Sequence, residues 1–278
     1  MEINFKNVSL KSDNCKVKLS NIDYKFEEKK ITAITGPSDS GKSLIIDLML
    51  AFVFSSSGEI LIGSEKLDNK GKVNDINKLR FNIGYVFNNP DDMFFLPTVY
   101  EEIAFGLKHY NYKLDSLDKT ISDSLKIVGL NDSYLNLNPF DLSHGEKKKL
   151  SLALVLALNP SVLIIDNPTG GLDSASKKVL IKVLTKLKKN YNKTIIIVSN
   201  DVDFIYKFVD NVLVLNNGKI LTSGPAKEVY KNSKLLKTWD IEIPEIVEFI
   251  EKVSEKKKIK LDMHNDIREL IKDVYRNV

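Results

Sequence analysis

Gly36-Pro37-Ser38-Asp39-Ser40-Gly41-Lys42-Ser43 matches the pattern G-x-x-x-x-G-K-[ST]. The short β-branched run Ile31-Thr32-Ala33-Ile34-Thr35 precedes it, and an apolar helix is expected from Leu44 onward. In that setting successive backbone N–H groups form an anion-binding nest at a helix N-terminus. Lys42 has the reach for the β and γ phosphates of a nucleotide, and the Ser43 hydroxyl is placed to ligate Mg²⁺. The stretch therefore predicts a phosphate-binding loop between a buried strand and a helix, with nucleotide phosphates and Mg²⁺ as its ligands.

Further runs of the same kind follow. Ile83-Gly84-Tyr85-Val86-Phe87, Val162-Leu163-Ile164-Ile165-Asp166 and Thr194-Ile195-Ile196-Ile197-Val198 read as buried strands without polar alternation. That suits a parallel sheet covered on both faces. Asp166 ends its strand with a carboxylate, where a partner for Mg²⁺ is needed. Ile3 to Val8 and Glu59 to Gly63 read as edge or antiparallel strands, and Asn216-Asn217-Gly218 marks a hairpin turn. Thr98 to Leu158 reads as mostly helical, beginning at an N-cap followed by Glu101 and Glu102. The fold class is α/β.

Composition narrows the function. The 278 residues carry 41 basic and 37 acidic side chains, a net charge of +4. That is no basic field for nucleic acid. A single cysteine, Cys15, excludes a disulfide framework and a cysteine-based metal cluster. Mean hydropathy is -0.15, and the apolar run Leu44 to Phe54 is broken by Asp47 and shorter than the ~20 residues of a spanning helix. Met1 to Phe5 reads as a first strand rather than a leader.

Between the phosphate loop and its distal partners stands Leu142-Ser143-His144-Gly145-Glu146, followed by Lys147-Lys148-Lys149 and an apolar helix. Taken alone, Ser143 reads as a plain helix N-cap. The order of motifs argues for more, since Pro168-Thr169-Gly170-Gly171-Leu172-Asp173 follows directly after Asp166. Over residues 2–224 the chain resembles the ATP-binding cassette (ABC) family. Leu142 to Glu146 is similar to that family's L-S-G-G-Q signature, and Gly171-Leu172-Asp173 to its D-loop. Asn88 to Phe95, then Pro97 to Gly106, is similar to the energy-coupling factor branch of importers for vitamins and metal ions. The resemblance implies a P-loop NTPase with an antiparallel β subdomain and a helical signature subdomain over about residues 98–158. It further implies a cassette of residues 1–225 and a helical extension of residues 226–278. The expected partners are a second cassette subunit, a transmembrane coupling protein and a substrate-binding membrane subunit, with the chain peripheral at the cytoplasmic face of the membrane. In this family each nucleotide lies between the phosphate loop of one subunit and the signature of the other.

The departures from the family pattern are as informative. Its glutamate after the strand-end aspartate, which polarises the attacking water, is here Asn167. Its switch histidine is Asn200, and its glutamine after the Ile83 strand is Asn88. The chain contains no glutamine, and the adenine-stacking aromatic expected near Leu10-Lys11-Ser12 is missing. Asp39 replaces a glycine of the phosphate loop, repulsive to phosphate unless it points outward. An amide cannot take a proton at neutral pH, and lost general-base catalysis is worth about 10²–10⁴-fold. The expectation is a subunit weak in hydrolysis at its own site that still supplies Ser143 and Gly145 to a partner's. Two other readings stand beside it: the energy subunit of another importer or exporter, and a nucleotide-binding scaffold without hydrolysis.

Beyond Gly224-Pro225, one helix is expected from Pro244 with Ile246, Val247, Ile250 and Val253 on one face. A second has Ile267, Leu270, Ile271 and Val274 at the same spacing, and Lys256-Lys257-Lys258 reads as a solvated connector between them.

Overall fold

The computed structural model describes residues 1–11, 19–69, 73, 75–110, 117–259, 261–264 and 267–277. Its elements run β1 (Ile3–Leu10), β2 (Leu19–Phe26), β3 (Ile31–Thr35), α1 (Lys42–Met49), β4 (Ser57–Ile62), β5 (Glu65–Asp68), α2 (Ile76–Asn82) and β6 (Ile83–Val86). The helical region follows with α3 (Val99–His109), α4 (Leu117–Val128) and α5 (His144–Ala157). The chain then alternates through β7 (Val162–Asp166), α6 (Ser174–Tyr191), β8 (Thr194–Val198), α7 (Val202–Phe208), β9 (Asn211–Asn216) and β10 (Lys219–Pro225). Four helices close it: α8 (Ala226–Lys231), α9 (Ser233–Lys237), α10 (Glu245–Lys257) and α11 (Ile267–Asn277).

The strands form two sheets. One is antiparallel, in the order β2-β1-β4-β5; the other, β10-β9-β3-β8-β7-β6, is parallel except for the β9–β10 hairpin. The unalternating apolar runs are the reason: all five residues of β3 and of β8 are buried, as a strand covered on both faces requires. Ile34, Ile196 and Ile164 pack toward the antiparallel sheet and α1. Ala33, Ile197 and Ile165 point the other way, toward α5, α6 and the helical region. The hairpin is closed by Asn217 (φ 47°) and Gly218 (φ 70°), positive at both central positions as the two-residue turn demands.

Several boundaries differ from the sequence expectation. Phe87 and Gly63 fall outside β6 and β4. Helix α1 starts at Lys42, two residues early, because Gly41 (φ 105°) ends the loop at its N-cap. Thr98 caps α3 as expected, accepting from the Glu101 amide at 3.2 Å. The lysine run is not a connector: Lys256 and Lys257 form the last turn of α10, favourable at the negative end of the helix dipole, and Lys258 ends it at φ 55°. In α11 the expected face is split, with Leu270 buried but Ile267 and Ile271 61% and 46% exposed. Ile246, Val247 and Ile250 of α10, with Leu270, join the same hydrophobic core as α5 and β7.

Candidate functional site

Every nucleotide-related position expected from the sequence, the signature and D-loop aside, lies at the carboxyl end of a parallel strand. Gly36 follows β3, Asn200 follows β8, Asp166 and Asn167 close β7, and Asn88 follows β6. Open α/β sheets bind ligands at that edge, where strand ends and helix N-termini meet.

The phosphate loop is shaped by close backbone approach. A Cβ on Gly36 (φ 148°) would stand 2.0 Å from the Leu215 carbonyl oxygen, so only glycine lets β3 turn there. Asp39 adopts φ 59°, left-handed backbone that accounts for glycine being usual at this place and that aspartate tolerates better than most residues. Its side chain is exposed, where water screens the carboxylate charge. Lys42 folds over the loop: Nζ donates to the carbonyls of Gly36 at 2.8 Å and Pro37 at 2.6 Å, and lies 3.4 Å from Ser40 Oγ. Burial pushes the Lys42 ammonium below its usual range, against the opposing pull of Asp166 and Asp39.

Asp166 is half-buried. Desolvation raises its carboxyl above the usual range, while the Tyr85 hydroxyl at 3.5 Å and the charges of Lys42 and Lys148 act the other way. Burial is the larger influence, so the carboxyl is harder to ionise here than in water, and the two lysine charges offset only part of that cost. The next residue, Asn167, takes φ 47°, its amide N–H donating to the Val198 carbonyl at 2.7 Å. Its side-chain Nδ2 donates to Asn88 Oδ1 at 3.1 Å. Two of the three asparagines at departing positions are therefore hydrogen-bonded to one another. The third, Asn200, is exposed and lines a shallow pocket with Gly36, Pro37 and Glu242.

The signature lies elsewhere. Ser143 is the N-cap of α5, and its hydroxyl donates to Glu146 Oε2 at 2.6 Å while accepting from the Glu146 amide at 3.4 Å. The Ser143 amide N–H donates to the same carboxylate at 2.9 Å, completing a capping box. The reading of Ser143 as a helix cap is what the geometry shows, with the capped N-terminus of α5 exposed at residues 143–144. These bonds and one from Tyr134 hold the Glu146 carboxyl below its usual range. Leu142 is buried beneath the cap. His144 stands against the D-loop: a Cβ on Gly171 would lie 2.8 Å from its Nε2. Leu172 packs near Gly145, and Asp173 caps α6 by accepting from the Ser176 amide at 2.7 Å. Among the described residues no hydrogen bond or ion pair joins residues 142–146 to the phosphate loop. The segment around Ser12, where an adenine-facing aromatic was sought, lies outside the described residues.

The donor set suits a Mg²⁺-nucleotide. Lys42, the α1 N-terminus and the loop amides are donors suited to anionic groups, and Ser43 with Asp166 could provide hard oxygen ligands of the kind Mg²⁺ takes. Sequence reasoning missed Lys148, whose Nζ donates to the main-chain oxygens of Asn167 at 3.0 Å and Gly170 at 2.5 Å. In the sequence it stands only as the middle of the three lysines that follow Glu146, and its closeness to the apolar run of α5 is the available signal.

Residues 19–170 match the family described as ABC transporter. The chain is 33% identical over 265 residues to the energy-coupling factor transporter ATP-binding protein EcfA of Methanococcus maripaludis, covering 92% of this chain and 93% of that one. It is 33% identical over 239 residues to EcfA2 of Mesoplasma florum, covering 86% and 76%. Among solved structures it is similar to cbiO1 of Clostridium perfringens, described as part of the ABC transporter complex cbiONQ. There the TM-score is 0.75 and the identity 31%, over 90% of this chain and 98% of the other. It is also similar to the cassette MJ0796, a dimer bound to ADP and Pi, with a TM-score of 0.72 and 26% identity over 81% and 98%.

Proposed function

The chain belongs to the ABC transporter family, and from that premise we propose that it is the ATP-binding subunit of an energy-coupling factor importer. It is the half of a two-cassette motor whose own hydrolytic centre is degenerate. The observation that carries the second part is the Asn167–Asn88 amide pair. Water is activated for attack on a γ-phosphate by a group that accepts its proton, and neither amide does so at neutral pH. Binding is another matter. Lys42, the loop amides and the solvent exposure of Asp39 leave a cradle for phosphate, and Ser43 with Asp166 would hold Mg²⁺. When bound, the metal neutralises charge on the transferring phosphoryl group.

The signature Leu142-Ser143-His144-Gly145-Glu146 serves the partner's nucleotide on this reading. The separation of the two half-sites within one chain supports it, as do the dimeric state of MJ0796 and the membership of cbiO1 in a larger complex. Among the described residues no helix is long and apolar enough to cross a membrane, so transport needs membrane subunits supplied by other chains. Phe95 and Phe105 are 62% and 49% exposed and stand edge to face, with His109 stacked beyond Phe105. The buried Glu102 fixes this strip by accepting from the amides of Phe95 and Leu96. An apolar patch of that kind beside the Asn88 loop suits a membrane coupling protein, with the chain peripheral at the cytoplasmic face and the cargo, a vitamin or metal ion, held by a separate membrane subunit.

Affinity purification of the tagged chain from mildly solubilised membranes of its own cells tests the reading. The expected result is a complex containing a second cassette and a polytopic membrane protein. A chain recovered alone as a homodimer with brisk ATP turnover would contradict it.

A further inference from the structure

Lys148 joins two parts of the molecule that serve different nucleotides on the reading above, on which this inference rests. It stands on helix α5, five residues beyond the Ser143 cap. Its Nζ lies across the tight turn Asn167 to Gly170, donating to both of that turn's end carbonyls, at 3.0 and 2.5 Å. The turn closes on itself through the Gly170 amide to the Asn167 oxygen at 3.2 Å, and the Leu172 amide to the Thr169 oxygen at 3.2 Å continues it into the D-loop. A small, mostly apolar cavity of about 40 Å³, which Lys148 lines with Asp166, Gly145 and Leu172, lies beside the contact. The ammonium is thus partly removed from water, and no salt bridge to it is found among the described residues; its compensation is two peptide dipoles and the nearby Asp166 charge. Charged hydrogen bonds in such surroundings are stronger and more directional than those between neutral groups.

We propose that Lys148 is a positioning residue, the strut that fixes the signature helix to the turn carrying Asn167 and the D-loop, so that nucleotide at this chain's own phosphate loop sets the position of the signature offered to its partner. A shift of the Asp166–Asn167 segment moves both carbonyls, and Nζ carries the shift to α5. Because α5 is continuous from His144 to Ala157, the displacement reaches Ser143 and Gly145 without an intervening hinge. Lysine is long enough to span the gap from helix to turn, and arginine offers a fork that meets the same two oxygens. A neutral apolar chain of the same length offers neither.

Two measurements on Lys148→Met and Lys148→Arg test this. In the isolated full-length chain, hydrogen exchange at the Gly170 and Leu172 amides should be at least tenfold faster in Lys148→Met and near wild type in Lys148→Arg. Exchange within β7 and β8 should be unchanged in both, which a general loss of folding would not give. In the assembled complex, Lys148→Met should lower kcat for ATP about tenfold with KM within about threefold, and Lys148→Arg should recover most of it. Unchanged exchange at Gly170 and Leu172 would overturn the strut. Accelerated exchange with wild-type turnover would overturn its coupling role. A wild-type complex without turnover would defeat the two-cassette reading instead, and the exchange data would still decide the strut.

Discussion

Asn167 Nδ2 donates to Asn88 Oδ1 at 3.1 Å, tying the loop after β7 to the end of β6 across neighbouring parallel strands. The bond occupies one side-chain donor of Asn167 and one acceptor of Asn88 with each other. Asn167 holds φ 47°, where asparagine and aspartate are tolerated and longer side chains are strained by about 1–2 kcal/mol. Asp is therefore the better restoration than Glu. On the proposed degenerate centre, turnover by the purified chain should be slow, and Asn167→Asp should raise it only in part, since Asn88 and Asn200 remain. Steady-state phosphate release, with Lys42→Ala as the control for contaminating ATPases, measures it; brisk turnover by the unmodified chain would contradict the degenerate centre.

Lys42 is the next test. Its ammonium rests on two loop carbonyls that it must leave to meet phosphate. Mg-ATP affinity should be micromolar or weaker, about -8 kcal/mol or less favourable. Lys42→Ala should abolish it. Equilibrium binding of a fluorescent ATP analogue reads both, and undiminished binding in the variant would place the nucleotide elsewhere.

Gly36 admits no side chain. With Leu215 oxygen 2.0 Å from the site of a Cβ, Gly36→Ala must shift β9 or the loop. Overpacking of this kind costs about 1–3 kcal/mol. A lowered denaturation midpoint together with lost nucleotide binding is expected, and a variant as stable as wild type would show that the loop yields freely.

The Ser143–Glu146 capping box has a pH signature. Its hydrogen bonds depress the Glu146 carboxyl below its ordinary 4.5. A depressed carboxylate contributes stability that is fully present above the unfolded-state value and is lost as pH falls through the folded-state value. Glu146→Gln should therefore be less stable than wild type at neutral pH, by about 1 kcal/mol on the scale of lost caps. That difference should shrink as pH falls below 4.5. Thermal melts across pH 3 to 7 would show it, and a constant difference would deny the box its charge.

The buried strands were legible because a strand covered on both faces leaves no polar alternation: β3, β7 and β8 fall where Ile31–Thr35, Val162–Asp166 and Thr194–Val198 were read. The phosphate loop was legible for a related reason, since glycines at Gly36 and Gly41 answer backbone geometry that few residues tolerate. What sequence could not show is direction. Ile267 and Ile271 share a helical spacing with Leu270, yet only Leu270 meets the core. The three lysines after the signature look alike in the chain, but Lys147 pairs with Asp91 at 2.8 Å while Lys148 turns inward. The Asn88–Asn167 bond joins residues 79 positions apart, so it depends on strand order.

The most direct test of the central claim sets the two half-sites of this chain against each other. On the proposed division of labour, Ser143→Arg would place bulk and charge where the signature meets the partner's nucleotide, and losing a preorganised contact to a transferring phosphoryl group is worth about 10²–10³ in rate. Asn167→Gly removes the amide while keeping the positive φ. Steady-state ATP turnover and cargo uptake by the reconstituted complex should be abolished by Ser143→Arg and stay within about twofold of wild type with Asn167→Gly. If Asn167→Gly proves as damaging as Ser143→Arg, this chain's own site is a working catalytic centre and the division of labour proposed between the two cassettes is wrong.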